Sequence, residues 1–433
     1  MQFKSTKNDR ETVSFREAAL RCLPDDGGLY APASDMDLRH FLFYMDADTS
    51  FPELVAALAP LLLQDALTPH SAARIAESAF HFEPEFKPLD ERFSLLNLYN
   101  GPSGVCKDFG IAFLAAVIEE LLKSGGQAMI ISASRGDTGI SVASAFRGRR
   151  GIRPVILYPS GPIRGLDPGA LASQGGPLIP LQVRGTFDDC QRLMAEIIRD
   201  RPFSNRYGIT SANTINAGAL LPQIFYYIYG FIKAKPCLNG DLLFSVPSGN
   251  FGNLIAGLYA WKSGMPVNGF VAAMNRNNPV GEYMRGRPFI PRVPAATVSP
   301  ALDVGMPANY ERLASFYQDA PVVMRNMVYP CAVDDALTLK TIEGVWKRYG
   351  LLIDPHTAVA FAAAERFSAQ RDSAHLVILG TSHPAREANA IALATGQKIE
   401  IPPRFALLRE KTDPLAVIDP ELSALEGAIA SCV

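Results

Sequence analysis

Paired metal-ligating or disulfide-forming residues are missing from this sequence. Its six cysteines are far apart and contain no Cys-x-x-Cys pair, and its six histidines contain neither His-x-x-x-His nor His-Glu-x-x-His. Closely spaced cysteines mark disulfide frameworks and zinc sites, and paired histidines mark catalytic zinc. We therefore expect reduced cysteines, no disulfide framework and no catalytic metal.

Blocks of one charge and long apolar runs are also absent. The chain has 41 basic and 43 acidic residues, without a basic cluster of the kind that contacts nucleic acid. No apolar run reaches about 18 residues, and the N-terminal segment MQFKSTKNDRETVSF is too polar for a signal peptide. These features predict a soluble, cytoplasmic protein that binds neither nucleic acid nor a membrane.

The 433 residues, 48% of them hydrophobic, are enough for two α/β domains. Residues 1–92 show helical periodicity, as in FPELVAALAPLLLQDALT, and predict a mostly helical N-terminal domain. After residue 92, short apolar runs alternate with longer amphipathic stretches, the pattern of βαβ units on a parallel sheet. We predict α/β domains over 93–235 and 236–433, with parallel or mixed sheets.

The predicted strands are short apolar runs that mostly end in polar, glycine-containing loops. They are AMIISAS, RPVILYP, PLIPLQV, GDLLFSVPS, NGFVAAMN and HLVILGTS. In open α/β sheets, ligands bind beyond the carboxyl ends of the strands. A functional site is therefore expected in the loops that follow these runs.

Lys107 lies in the loop NGPSGVCKDFG, directly before the apolar helical run FGIAFLAAVIEELLKSG. The positive end of a helix favours an uncharged amine, which can attack an aldehyde. Taken alone, this segment favours a solvated lysine at a helix start. The neighbouring loops therefore decide how the lysine is interpreted.

Two further loops combine glycine with polar residues between a strand and a helix. Ser134-Arg135-Gly136-Asp137-Thr138-Gly139 follows the run AMIISA, and Ser248-Gly249-Asn250-Phe251-Gly252-Asn253 follows LLFSVP. Backbone N–H groups in such loops bind carboxylate or phosphate oxygens, and the helix dipole favours the anion. Each loop alone is a weak signal, because many α/β enzymes have similar turns.

In this order, the three loops resemble the threonine synthase family, pyridoxal-phosphate enzymes of the tryptophan-synthase-β-like fold. The resemblance extends over nearly the whole chain, in the segments DDGGLYAP, NGPSGVCKDFG, SRGDTGISVASAF, LYPSGP, GTFDDCQ, SANTINAGALLPQIFYY, VPSGNFGNLIAGL, PALDVGMPANYERL, YGLLIDPHTAVA and LGTSHPA. It implies that pyridoxal 5′-phosphate is the cofactor and a small amino acid the substrate. It also implies a two-domain fold with a helical N-terminal domain.

The resemblance also implies roles for individual residues. Lys107 would hold the cofactor as a Schiff base and then move protons, and Thr381 would meet the pyridine nitrogen. The cofactor phosphate would be bound by Gly249, Asn250, Phe251, Gly252 and Asn253. The substrate would be bound by Ser103, Arg135, Gly136, Asp137, Thr138, Asn213 and Arg164. We expect His356 and His383 to be packed histidines behind the site.

Departures from the family pattern are concentrated on the substrate side. Asn100 replaces a histidine, Arg135 precedes the Gly-Asp-Thr-Gly segment, and Arg164 lies in an altered run after LYP. Ala219 occupies the position of an arginine that the family uses as a phosphate clamp. Losing such an arginine costs about 2–5 kcal/mol of binding, unless Arg135 or Arg164 reaches the same phosphate.

Three hypotheses follow from this pattern. The first is threonine synthase activity: phosphate leaves Cγ of O-phosphohomoserine and water adds at Cβ. The second is a paralogue that performs β- or γ-elimination or replacement on another activated amino acid. The third is an inactive binding protein, which the intact Lys107 and phosphate loop disfavour. The sequence is compatible with a monomer or a homodimer.

Overall fold

Three β-sheets surrounded by helices make up the described part of the chain. The structure is a computed structural model that describes residues 1–64, 66–160, 178–318, 320–371, 373–403 and 416–432. The strands are β1 (Gln2–Ser5), β2 (Thr12–Ser14), β3 (Tyr30–Pro32), β4 (Glu85–Pro88), β5 (Phe93–Asn97), β6 (Ala128–Ala133), β7 (Ile152–Pro159), β8 (Ile179–Val183), β9 (Ile209–Thr210), β10 (Leu242–Pro247), β11 (Gly269–Met274), β12 (Val328–Ala332), β13 (His375–Gly380) and β14 (Val417–Ile418).

The helices pack on the faces of the sheets and in the N-terminal region. They are α1 (Phe15–Arg21), α2 (Arg39–Tyr44), α3 (Phe51–Leu63), α4 (Pro69–Ala79), α5 (Lys107–Leu121), α6 (Asp137–Phe146), α7 (Phe187–Arg199), α8 (Arg201–Tyr207), α9 (Ala217–Leu220), α10 (Ile224–Ala234), α11 (Gly252–Lys262), α12 (Pro279–Met284), α13 (Tyr310–Phe316), α14 (Pro321–Met324), α15 (Asp335–Tyr349), α16 (Pro355–Ser368), α17 (Ala388–Thr395) and α18 (Leu422–Ser431).

The two large sheets are mainly parallel. One has the order β14-β8-β7-β6-β9 and is parallel throughout. The other has the order β12-β11-β10-β13-β5-β4, in which only the edge strand β4 is antiparallel. Helices cover both faces of such sheets, so their central strands are apolar on both sides. This explains the unbroken burial of β6, β10, β11 and β13, and the α/β prediction is confirmed.

All six predicted strands are present, as β6, β7, β8, β10, β11 and β13. The prediction missed shorter strands, including both edge strands of the six-stranded sheet. Pro88 lies in β4 and Pro330 in β12, which are the two edges of the six-stranded sheet. Proline has no N–H group to donate and is tolerated at sheet edges. These two strands are short and mostly exposed or half-buried, so they lack the continuous apolar run that marks the predicted strands.

The N-terminal region contains helices and a small sheet. Strands β1, β2 and β3 form an antiparallel sheet beside α1, in addition to the predicted helices α3 and α4. Strands β4 and β5 belong to the six-stranded sheet together with strands from beyond residue 241. The division into 1–92, 93–235 and 236–433 therefore stays a proposal about chain segments, because one sheet draws on all three.

Two structural properties concern alternative classes of function. Among the helices of the described residues, none combines the length and apolar character needed to cross a bilayer. Within the same residues, no three His, Cys, Asp or Glu side chains cluster so that they could hold a metal ion.

Candidate active site

A cavity of about 460 Å³ opens where the carboxyl ends of strands from both large sheets meet. Asp137 follows β6 in one sheet, while Gly249 and Thr381 follow β10 and β13 in the other. Lys107, the first residue of α5, also lines this cavity. The structure thus brings the three sequence loops and the predicted lysine together at one place, as the sheet rule predicts.

Lys107 is held at the cavity by the buried start of α5. The adjacent Asp108 is buried and accepts hydrogen bonds from the N–H and the hydroxyl of Ser103, at 2.9 and 2.6 Å. These bonds close the loop that precedes the helix. Burial raises the pKa of the Asp108 carboxyl, against the lowering effect of the Ser103 bonds. The side chain of Lys107 is 39% exposed and lines the cavity.

Thr381 is fixed beside Lys107 through the backbone. The N–H of Cys106 donates to the carbonyl of Thr381 at 2.9 Å, and Val105 forms a β-bridge with Ser382. The N–H of His383 donates to the carbonyl of Gly104 at 2.8 Å. Backbone hydrogen bonds therefore join the loop after β13 to the loop before α5. These bonds keep Thr381 and Lys107 in one wall of the cavity.

The Gly249–Asn253 loop presents free backbone amides at the start of α11. Phe251 has a left-handed backbone, with φ of 62°, and caps this helix. Among the described residues, the N–H groups of Gly249, Asn250 and Phe251 have no acceptor. The first amides of a helix also lack intrahelical partners, and together such groups bind phosphate. This loop therefore fits the phosphate of the implied cofactor.

A buried arginine braces the phosphate loop from behind. Arg312 of α13 donates to the carbonyls of Tyr30, Thr214 and Ile215, at 3.0, 2.5 and 2.6 Å, and to Oδ1 of Asn309 at 2.7 Å. Asn309 in turn donates to the carbonyl of Asn250 and to the hydroxyl of Thr214. Burial lowers the pKa of Arg312, but neutral oxygens satisfy its donors. The brace links the N-terminal sheet to the loop.

Asp137 connects two cations at the floor of the cavity. Its Oδ2 lies 3.7 Å from Nζ of Lys107, and its Oδ1 accepts a short hydrogen bond from Arg386. Burial alone would raise the pKa of Asp137, but the charges of Arg386 and Lys107 outweigh burial and hold it well below its usual range. The carboxylate stays ionised and orients the amine of Lys107.

Arg135 extends from the same loop toward other partners. Its Nη1 donates to the carbonyl of Asp303 at 2.9 Å, and its guanidinium lies 4.5 Å from the centre of the Phe187 ring. Burial lowers the pKa of Arg135, with the nearby charges of Asp188 and Asp303 opposing that effect. Arg135 lines the cavity, and so do Thr138 and Asn213.

Two of the described residues predicted for the substrate, Ser103 and Gly136, do not line the cavity. Ser103 is fully buried, with its hydroxyl bonded to Asp108 and paired with Ser141 at 2.8 Å. Gly136 contributes a backbone turn with φ of 131°, and its N–H donates to the hydroxyl of Ser134. Arg164 lies outside the described residues.

Arg386 and His356 were not predicted to face the cavity, yet both line it. Arg386 also donates to the carbonyl of Ser103 at 3.0 Å. His356 follows the N-cap residue Asp354 of α16, which contacts its Nδ1 at 2.6 Å, while its Nε2 accepts the N–H of Ala301. His356 is thus packed as predicted, but it lines the cavity instead of lying behind it. Arg386 comes directly after the LGTSHPA segment, and this position is the only sequence feature that could have pointed to it.

Comparison with protein families agrees with this geometry. Residues 86–381 match the family model described as pyridoxal-phosphate dependent enzyme. Residues 2–80 and 357–429 match the models for the threonine synthase N terminus and the threonine synthase C-terminal region. Threonine synthase of Serratia marcescens is 31% identical over 418 residues, which cover 95% of this chain and 94% of that protein.

Solved structures confirm the predicted fold. The crystal structure of threonine synthase from Escherichia coli has a TM-score of 0.91 and 29% sequence identity, and covers 100% of both chains. The structure of threonine synthase from Brucella melitensis with bound pyridoxal phosphate has a TM-score of 0.88 and 25% identity, covering 100% of this chain and 99% of that one. The chain belongs to the threonine synthase family of pyridoxal-phosphate dependent enzymes.

Proposed function

We propose that this protein is a pyridoxal-phosphate-dependent lyase that converts O-phosphohomoserine and water into threonine and phosphate. One observation carries the proposal: Lys107, the free amides of the Gly249–Asn253 loop and Thr381 converge on a single cavity. The likeness to threonine synthases over the whole chain supports the same reaction.

The cofactor would be held at three points. The amides of the Gly249–Asn253 loop would bind its phosphate, Thr381 would face the pyridine nitrogen, and Lys107 would hold it covalently. When bound, pyridoxal phosphate supplies an electron sink for a carbanion at the α carbon of an amino acid. A hydroxyl at Thr381, unlike a carboxylate, does not favour a protonated ring nitrogen. The backbone bond between Cys106 and Thr381 supports this division of roles.

Lys107 would also move the protons of the reaction. Elimination of phosphate from Cγ requires removal of protons from Cα and Cβ, and an amine close to both carbons can accept and return them. Asp137, at 3.7 Å from Nζ, would keep that amine oriented while Arg386 fixes the carboxylate from the other side. Ser103 contributes indirectly, because its bonds to Asp108 close the loop before the lysine.

The α-carboxylate of the substrate would bind at the start of α6. Thr138 and the amides of the first turn of this helix lie beside Asp137, where the positive end of the helix favours an anion. Gly136 supplies the turn that leads into the helix. Asn213 is held rigidly by bonds to both the N–H and the carbonyl of Ala133, at 3.1 and 2.9 Å, so it would form a fixed polar wall.

Product analysis tests the proposal. Cofactor-loaded protein mixed with O-phosphohomoserine should release threonine and inorganic phosphate in equal amounts. Lys107→Ala should abolish both products, because the attachment point and the proton carrier are the same group. Cofactor-loaded protein that forms no threonine contradicts the proposal.

The wall around Ala219 favours a second candidate, a paralogue that acts on another activated amino acid. Ala219 and Ile111 form an apolar surface there, and the amide of Gln223 is tied to Tyr226 and to the carbonyl of Ala219. This wall offers no cation to a phosphate. Turnover of O-acyl homoserine or O-acyl serine without turnover of O-phosphohomoserine would favour this candidate.

A further inference from the structure

The charged groups of the cavity are unequally neutralised. Lys107 and Arg386 both lie within ion-pair distance of Asp137. Within the described ranges, Arg135 forms no salt bridge, although it lines the same cavity. Among the cationic side chains of the described cavity lining, Arg135 is therefore the one without an ion-pair partner.

The donors of Arg135 are largely unused. A guanidinium carries five N–H groups, and the described residues accept one of them, through the carbonyl of Asp303. The carboxylate of Asp303 is saturated elsewhere: its Oδ1 accepts from Asn275, Asn277 and Thr297 at 2.7 to 2.9 Å. Asp303 therefore holds Arg135 through its carbonyl, and its carboxylate acts on the guanidinium only through charge, without a direct ion pair.

The Phe187 ring fixes the orientation of the guanidinium. Phe187 is the first residue of α7, and this helix is secured by a capping box between Thr186 and Asp189. A cation stacked on a ring loses less freedom when it binds a ligand, because its plane is already set. Arg135 is thus a preorganised fork for a planar or tetrahedral anion.

Arg135 and Lys107 contact different groups around the cavity. Asp137, two residues away, turns to Lys107 and Arg386, while Arg135 turns to Phe187 and Asp303. The α carbon of an amino acid must lie next to Lys107, where the start of α6 can bind its carboxylate. A group that reaches Arg135 is therefore at the far end of the substrate side chain.

We propose that Arg135 is the specificity-determining residue that binds a dianionic phosphate group at the end of the substrate side chain. This rests on the proposed function and deepens it. The charge that recognises the phosphate comes from the loop between β6 and α6, and the wall at Ala219 contacts only the aliphatic part of the substrate. The chain then needs no cation at position 219.

The test uses two amino acids that bind but cannot lose a leaving group. One carries a phosphonate in place of the γ-phosphate, and the other is L-norvaline, which has the same α-amino acid head and an uncharged side chain. Binding to cofactor-loaded protein is followed by the change in cofactor absorbance. The variants are Arg135→Gln and Arg135→Lys, with Arg150→Gln as control, because Arg150 is an exposed arginine that does not line the cavity.

Arg135→Gln should weaken phosphonate binding by at least about 30-fold, the loss expected when one partner of a charged hydrogen-bonded pair is removed. Its affinity for norvaline should change less than about threefold. The phosphonate affinity of Arg135→Lys should lie between those of wild type and Arg135→Gln, because the lysine amine is a point charge and lacks the paired donors of a guanidinium. The affinities of Arg150→Gln for both ligands should equal those of wild type.

Three results would overturn the inference. Equal weakening of both ligands would place Arg135 at the α-carboxylate, weaker cofactor uptake would place it at the cofactor phosphate, and unchanged phosphonate binding would give it no role. The proposed function fails separately, through wild-type protein that forms no threonine. Arg135-dependent binding of the phosphonate in such a protein would still support the inference.

Discussion

At the scale of single residues, Asp137 is the carboxylate that connects the two cations of the site. It is shared by Lys107 and Arg386, and its side chain is 25% exposed, so solvent screens the interaction only in part. The sequence revealed Asp137 through its Gly-Asp-Thr-Gly loop. It did not reveal Arg386, because a single arginine 249 residues away carries no local pattern.

The Asp137 contribution to stability should depend on pH. An aspartate whose pKa is lowered by folding stabilises the protein above its unfolded pKa of about 3.9, and this contribution is lost as the pH falls toward the folded pKa. Asp137→Asn should therefore lower the free energy of unfolding of cofactor-free protein at about pH 6, by an amount that shrinks below about pH 4. Urea denaturation at several pH values measures it.

The matched control for this variant is Asp9→Asn, at an exposed aspartate in the N-terminal region. The free energy of unfolding of Asp9→Asn should equal that of wild type at every pH tested. A difference between Asp137→Asn and wild type that stays constant down to about pH 3 would contradict the account, because the ion pairs would then not depend on the ionised carboxylate.

At the scale of elements, the phosphate loop depends on a close approach between Gly252 and Thr214. A Cβ added at Gly252 would lie 2.9 Å from Oγ1 and 3.0 Å from Cβ of Thr214. Thr214 cannot yield freely, since Asn309 donates to its hydroxyl and Arg312 to its carbonyl. The glycine pattern of this loop was visible in the sequence, but the brace behind it was not, because it joins segments about 100 to 280 residues apart.

Gly252→Ala should weaken cofactor binding. Overpacking of this kind costs about 1–3 kcal/mol, which corresponds to a fall in cofactor affinity of about 5- to 150-fold if the displaced loop bears the whole cost. Fluorescence titration of cofactor-free protein with pyridoxal phosphate measures this. Cofactor affinity equal to that of wild type would show that the loop does not hold the phosphate.

Gly344→Ala is the control for that substitution, because it adds the same methyl group at a glycine with free space around it. Gly344 lies in the exposed face of α15, and no atom lies within 4 Å of its added Cβ. Alanine in an open helix position stabilises by about 0.5–1 kcal/mol relative to glycine. We expect unchanged cofactor affinity and a slightly higher free energy of unfolding in urea.

At the scale of the whole molecule, the N-terminal region packs into the core of the catalytic part. The ring of Phe51 in α3 lies 5.5 Å from those of both Phe109 in α5 and Tyr229 in α10. Helix α5 begins at Lys107, so this contact supports the catalytic helix directly. The helical periodicity predicted α3, but the sequence could not show which partner its apolar face meets.

Phe51→Ala should therefore destabilise the whole protein. Removing a fully buried phenylalanine costs about 3–5 kcal/mol. The loss should appear in a single urea transition monitored by both far-UV circular dichroism and tyrosine fluorescence, because the core is shared. Phe43→Ala, at a residue that is 80% exposed, should stay within about 0.5 kcal/mol of wild type. Two separate transitions for wild type would contradict a shared core.

Apolar runs alternating with amphipathic stretches predicted the α/β architecture and six of the strands, and the glycine-containing loops predicted the surroundings of the cavity. Edge strands β4 and β12 escaped prediction because they are short and mostly exposed or half-buried, and β9 because it has only two residues. The residues on the substrate side were harder to predict from the sequence. Ser103 is buried behind the lysine, and Arg386, which donates to the carbonyl of Ser103, lies far from it in the sequence. Such positions depend on tertiary packing rather than on local pattern.

The central claim is that Lys107 holds the cofactor, and reduction with borohydride tests it most directly. Borohydride converts the C=N bond between a lysine and pyridoxal phosphate into a stable amine, which mass spectrometry locates after proteolysis. We predict a single modified peptide that carries the cofactor on Lys107. Cofactor fixed on another lysine, or a cofactor-loaded protein that yields no modified lysine, would contradict the account.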